Sequence, residues 1–222
     1  MKPVPVCLVA AALFVAGCTG SASTIATQVD SGAEAPRIIQ PGAPGQASRA
    51  LPDEAITARE IPYTEADVQF MQGMIGHHAQ ALDMTALIAD RTNRQDLALL
   101  GRRIEISQKS EIALMQKWLS DRGEAVPDAT AHHMMMGHMD AMPGMLSAEQ
   151  MEQLKAASGD EFYRLWLEFM IQHHQGAITM VGELLAAEGA AQETDIFKFA
   201  DAVEEDQAME IQRMRQMLER LR

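Results

Sequence analysis

The chain has 222 residues, enough for one domain with a real core plus flanking segments, and carries a formal net charge of −13. That acidity argues against nucleic acid as a partner and would repel an anionic membrane surface, and aromatic residues at 5% are too sparse for a base-stacking platform. Methionine is the outlier, with 17 in the chain, whereas the two cysteines, Cys7 and Cys18, both fall at the extreme N-terminus.

Residues 1–17 read as an export signal: Lys2, an apolar run from Val6 to Ala16, then Val15-Ala16-Gly17-Cys18. That tetrapeptide resembles the bacterial lipobox, which predicts cleavage before Cys18 and lipid modification of that residue. The apolar run is too short to span a bilayer comfortably, and a plain secretory signal or short anchor is the alternative. The expected location is extracytoplasmic, on the periplasmic side or the cell surface, with membrane contact through the N-terminal lipid only. The body then has no thiol, so a soft-metal site must draw on Met and His, which suits an oxidising compartment.

Residues 18–62 are rich in Ser, Ala, Gly, Pro and Thr without sustained periodicity and predict a disordered tether. The domain follows over 63–222, as a hairpin at 64–122, a connection at 123–158 and a hairpin at 159–222. Thr64-Glu65-Ala66-Asp67 supplies a capping hydroxyl and acids for a first helix running to about Asp90. A second helix ends near Asp121-Arg122-Gly123, with Gly123 closing it. Its apolar stripe, Leu97, Leu100, Ile104, Met115 and Trp118, is interrupted by Gln108 and Glu111. Ser147-Ala148-Glu149-Gln150 is a capping box opening a short helix to about Ala157. A third long helix spans about Glu161 to Glu188, and the last spans about Thr194 to Leu221, with the stripe Ile196, Phe199, Val203, Gln207, Glu210, Met214, Met217 and Leu221.

The first and third long helices share one motif. Met74-Ile75-Gly76-His77-His78-Ala79-Gln80-Ala81-Leu82-Asp83-Met84 returns 96 positions later as Met170-Ile171-Gln172-His173-His174-Gln175-Gly176-Ala177-Ile178-Thr179-Met180. At 100° per residue the methionines and histidines share one broad face. The second and last helices repeat as well, Gln108-x-x-Glu111-Ile112-x-x-Met115 matching Gln207-x-x-Glu210-Ile211-x-x-Met214 at an offset of 99. A duplicated helical hairpin predicts an all-α antiparallel four-helix bundle with a short extra helix in the central connection. Counted from each turn, the His-His and Gln/Glu pairs reach similar depth and should face each other at mid-bundle.

Imidazole and thioether on one face are ligands for borderline and soft metals, and a carboxylate beside an imidazole can fix its tautomer or itself ligate. The candidate metal ligands are therefore His77, His78, His173, His174, Met74, Met84, Met170, Met180, Glu111 and Glu210. Within each adjacent pair one histidine should point inward and the other toward a helix interface, and the sequence leaves open which. Met115 and Met214 read as packing. The same residues would also serve as core filling and a buried hydrogen-bonded network. A second candidate is the connection itself: His132, His133, Met134, Met135, Met136, His138, Met139, Met142 and Met145, irregularly spaced, read as a scavenging segment for soft cations or as a low-complexity linker.

The doubled Met-Ile-x-His-His-x-x-Ala-x-x-Met motif, with Ser158-Gly159-x-x-Phe162, resembles the domain-of-unknown-function 305 family over about 66–220. The resemblance implies a ferritin-like helical bundle and, from its CopM-type members, extracytoplasmic copper binding associated with copper resistance. It carries over to the four histidines and the four flanking methionines. Gly76 and Gln172 stand where Pro is frequent in relatives. The leading expectation is a lipid-tethered binder, buffer or chaperone for copper, Cu(I) favoured over Cu(II) or Ag(I), with a copper-handling protein as a compatible partner. A ferritin-like di-metal oxidase is the enzymatic alternative, but such sites need Glu-x-x-His, and Met74 and Met170 occupy the acid slots. A structural or partner-binding lipoprotein without metal is the third reading.

Overall fold

The computed structural model describes residues 39–51, 61–128 and 142–221. Cys18 and the connection residues His132, His133, Met134, Met135, Met136, His138 and Met139 lie outside them. The chain divides into two units, Met1–Ala58 and Arg59–Arg222. Within the first, β1 (Ile39–Gln40) pairs antiparallel with β2 (Arg49–Ala50), and Arg49 Nε donates to Gln40 Oε1 at 2.9 Å. This short ladder is regular structure where the tether was expected to have none.

The second unit is helical. Helix α1 (Glu65–Ala86) begins at a capping box in which Thr64 and Asp67 bond reciprocally. It stops at Leu87, and a single turn, α2 (Ile88–Arg91), follows. The sequence predicted one uninterrupted helix here. Thr85, whose hydroxyl donates back to the Leu82 carbonyl at 2.8 Å, sits at the break, a bond that competes with the helical ladder. Helix α3 (Gln95–Asp121) ends before Gly123, whose φ of +72° suits a left-handed C-cap. After the connection come α4 (Ala148–Ala156), α5 (Gly159–Ala186) and α6 (Thr194–Glu219). Leu221, placed in the last apolar stripe by its spacing, lies beyond α6 and is exposed.

Helix α1 packs along α3, α5 along α6, and the two hairpins meet at α1 and α5. Two apolar clusters fill the bundle. One joins Met71, Met74 and Ile75 of α1 and Met115 and Trp118 of α3 to Met180 and Val181 of α5 and Ile196 and Val203 of α6. The other joins Met84, Leu97, Ile104, Phe162, Trp166, Met170 and Met214 at the opposite end. Burying a Leu- or Met-sized side chain contributes about 1.5–3 kcal/mol, so these layers hold the bundle and set the depth of everything between them.

Asp67 ties the hairpins at one end. Fully buried, it accepts from the Thr64 backbone N–H at 2.7 Å through Oδ2 and from the Ala191 N–H at 2.7 Å through Oδ1. Ala191 holds a φ of +52° in the α5–α6 turn, which a non-glycine residue adopts only when its surroundings fix it.

Candidate metal centre

Between the two apolar layers lies a polar one. His77, His78, His173 and His174 are all 0% exposed. The first histidine of each pair points to the bundle centre, where the His77 and His173 rings lie against each other, tilted by 40° with centroids 3.9 Å apart, across the seam between hairpins. The second points into its own hairpin: His78 Nε2 lies 2.6 Å from Glu111 Oε2, and His174 Nε2 lies 2.8 Å from Glu210 Oε2. The two hairpins build the same arrangement, as their sequence repeat requires. Adjacent helical residues diverge by 100°, so one doublet serves the centre and the interface at once.

Hydrogen bonding fixes the tautomers. Glu111 and Glu210 accept from the Nε2–H groups of His78 and His174, and the Pro143 carbonyl, which can only accept, takes the Nε2–H of His77 at 3.1 Å. Each of these three rings therefore engages Nε2 and turns Nδ1 into the interior. The Nδ1 atoms of all four histidines are buried without partners, and His173 lacks one at Nε2 as well. Gln108 and Gln207, one turn before the glutamates, are buried and leave further side-chain atoms unpaired.

Burial, reinforced by His78 and opposed by the Pro143 bond, pushes His77 down to about 3. Burial first, then the neighbouring imidazoles, drives His173 well below the ordinary histidine range. Both rings are neutral near pH 7, the form that offers a lone pair to a metal. Burial works to raise Glu111, but the His78 bond, its charge interaction and the Ser107 hydroxyl at 2.7 Å outweigh it and hold the carboxyl low.

The candidate sulfurs are divided by the layers: Met74 and Met180 lie in one apolar cluster and Met84 and Met170 in the other, with Met115 and Met214 buried among them. The histidine and glutamate pairs meet at similar depth, as counting from the turns predicted, while the four candidate methionines are split between the two apolar clusters. Among the described residues no three His, Cys, Asp or Glu side chains are disposed to hold one ion. The polar layer instead comprises a central imidazole pair and two flanking imidazole–carboxylate pairs. The donor set suits a soft or borderline ion: imidazole nitrogens lacking partners, bracketed by thioethers, with the second ring nitrogen anchored in three of the four histidines.

Residues 142–147 form a strap lying against this layer. Gln80 grips Leu146 twice, donating to its carbonyl at 3.0 Å and accepting from its N–H at 2.8 Å. Gln150 donates to Gln172 at 3.1 Å. Pro143 lies so close to α5 that a Cβ on Gly176 would overlap its carbonyl, and one on Gly144, at φ +75°, would come within 2.6 Å of the Gln172 carbonyl oxygen. Met142 is half-buried against the first apolar cluster, and Met145 is half-buried in the strap. Pro143, Gln80, Gly176 and Ser107 were not singled out from the sequence. The one available signal was that Gly176 and Gln80 occupy equivalent positions of the repeat with opposite chemistry.

An all-α bundle made of two like hairpins, with mirrored histidine–glutamate pairs about a central histidine pair, is the class that fold and site define. Residues 67–218 match the family model described as Domain of unknown function (DUF305), and the chain belongs to that family. A DUF305 fragment from Deinococcus radiodurans is 31% identical, covers 72% of this chain and 99% of its own, and superposes with a TM-score of 0.59. A DUF305 protein of Streptomyces coelicolor is 26% identical over 70% of this chain and 93% of its own, with a TM-score of 0.60. CopM in its Cu(I)-bound form is 25% identical over 72% of this chain and 99% of its own, with a TM-score of 0.55. CopM is also similar in its Cu(II)-bound, Ag-bound and apo forms. No curated protein matches the sequence.

Proposed function

We propose that this protein is an extracytoplasmic copper binder, buffering or passing on Cu(I), and that the histidine layer with its flanking methionines is where the ion is held. The observation that carries this reading is the set of fully buried imidazoles whose Nδ1 atoms have no partner. A buried polar atom left unpaired costs about 1–3 kcal/mol, and the layer repeats that cost in both hairpins. Such a cost persists where a ligand, absent from the free protein, satisfies the atoms. The CopM likeness directs the choice of ion, and thioethers need no deprotonation to ligate. Glu111, Glu210 and the Pro143 carbonyl then act as outer partners that hold the His78, His174 and His77 rings with Nδ1 inward. Export and lipid attachment at Cys18 rest on the N-terminal signal, and the Streptomyces coelicolor relative is provisionally classed as secreted.

The test is a competitive Cu(I) titration of the mature protein against a chromogenic chelator. The wild type should withdraw copper from the chelator, and a protein with His77, His78, His173 and His174 all changed to Leu should not. Equal withdrawal by both would remove the reading. The polar layer would then stand as a device that fixes helix register.

A further inference from the structure

The two halves of the chain are unequal where the strap crosses them. Aligned by their histidines, the repeats set Gly73 against Phe169 and Met180 against Met84. In the second half Phe169 packs on the apolar cluster and Met84 is 0% exposed. In the first half the same place is open: a groove of about 400 Å³ runs between α1 and α5, walled by Gly73, Met142, Pro143, Met180 and Glu183. The two methionine ends converge on the point a Gly73 Cβ would occupy, Met180 Cε 3.4 Å and Met142 Sδ 3.5 Å from it. Pro143 belongs to both places, lining the groove and accepting from His77 through its carbonyl at 3.1 Å.

We propose that Met142 and Met180 form a thioether site at the surface for a soft monovalent cation, the port by which it reaches the His77–His173 pair. The second half of this statement rests on the copper-binding reading; the first does not. Thioethers favour soft cations and lose no proton in taking one, and the Glu183 carboxylate in the groove wall supplies the negative charge that gathers cations. Passage inward is a ligand exchange, sulfur released as imidazole nitrogen binds, with no electron or proton moved. In the second half the position equivalent to Gly73 carries Phe169, a side chain packed on the apolar cluster, so the proposed port belongs to the first half.

The experiment uses mature protein carrying [13C]methyl-methionine and Ag(I) as a diamagnetic probe, in wild type and in a His77→Leu/His173→Leu variant. The ε-methyl signals of Met142 and Met180 should move in both proteins. In Met142→Leu, at the half-buried position outside the interior layer, uptake at the histidines should slow about tenfold with the final stoichiometry there unchanged, equivalent to about 1.4 kcal/mol of added barrier. Methyl signals that ignore Ag(I), or histidines loading at the wild-type rate without the Met142 sulfur, would overturn the port. Methyl signals that move while the histidine rings stay unchanged would uphold the thioether site and remove the interior one instead.

Discussion

His173→Leu sets the metal reading against the purely structural one, because the two give opposite signs. His173 is fully buried, and neither ring nitrogen makes a hydrogen bond of ordinary geometry, although the His77 backbone lies close enough to oppose the fall in its pKa. Neutral imidazole has one donor and one acceptor, each costing about 1–3 kcal/mol when buried unpaired. Leucine has similar volume and no polar atom, so the change relieves about 2–6 kcal/mol and forfeits about 1 kcal/mol through imperfect shape. The ligand-free variant should be more stable than wild type by about 1–5 kcal/mol. A domain of this size gains about 2–4 °C in melting temperature per kcal/mol. The assay is thermal unfolding of both proteins without metal and with Cu(I) in excess. Wild type should gain about 2.7 kcal/mol when free metal reaches 100 times its dissociation constant, and the variant should gain much less. A ligand-free variant clearly less stable than wild type would refute the reasoning, since His173 would then be held by interactions its geometry does not contain.

Stability should also fall with acid. Histidines whose folded pKa is depressed leave the unfolded state binding more protons below about 6.5, so their contribution is full above that pH and is lost as pH falls toward about 3. Urea unfolding should lose about 1.4 kcal/mol per pH unit for each such histidine, more steeply in wild type than in His173→Leu. Gly176→Ala drives a methyl group into the Pro143 carbonyl and should lift the strap. A shift or loss of the His77 Nε2–H proton signal, with about 1–3 kcal/mol lower stability, would register it. Asp67→Ala removes both the acceptor for the Thr64 N–H, one half of the α1 capping box, and the acceptor for the Ala191 N–H, and should cost about 2–4 kcal/mol by chemical denaturation. An effect under about 0.5 kcal/mol would show that the tie between hairpins is idle.

The bundle was readable from the 3.6-residue period of Leu97, Leu100, Ile104 and their counterparts, and from the repeat, because amphipathic spacing states which face must be buried. Depth was readable too: distance from the turns set the Gln108/Glu111 pair opposite the His77/His78 pair, and the His78–Glu111 contact follows from it. Orientation within each doublet was not, since 100° of divergence serves either assignment until the neighbouring helix is positioned. The strap escaped notice for a different reason. Its contacts are backbone carbonyls meeting Gly176 and Gln80, and a carbonyl leaves no mark in a sequence. The break at Leu87 turns on one hydroxyl bond that propensity does not resolve.

The His77–His173 pair lies where the two hairpins touch, with one ring contributed by each. Whatever satisfies those bare nitrogens works as a rivet, clasping two otherwise self-contained halves into one body. Filling the site and tightening the bundle would be a single act.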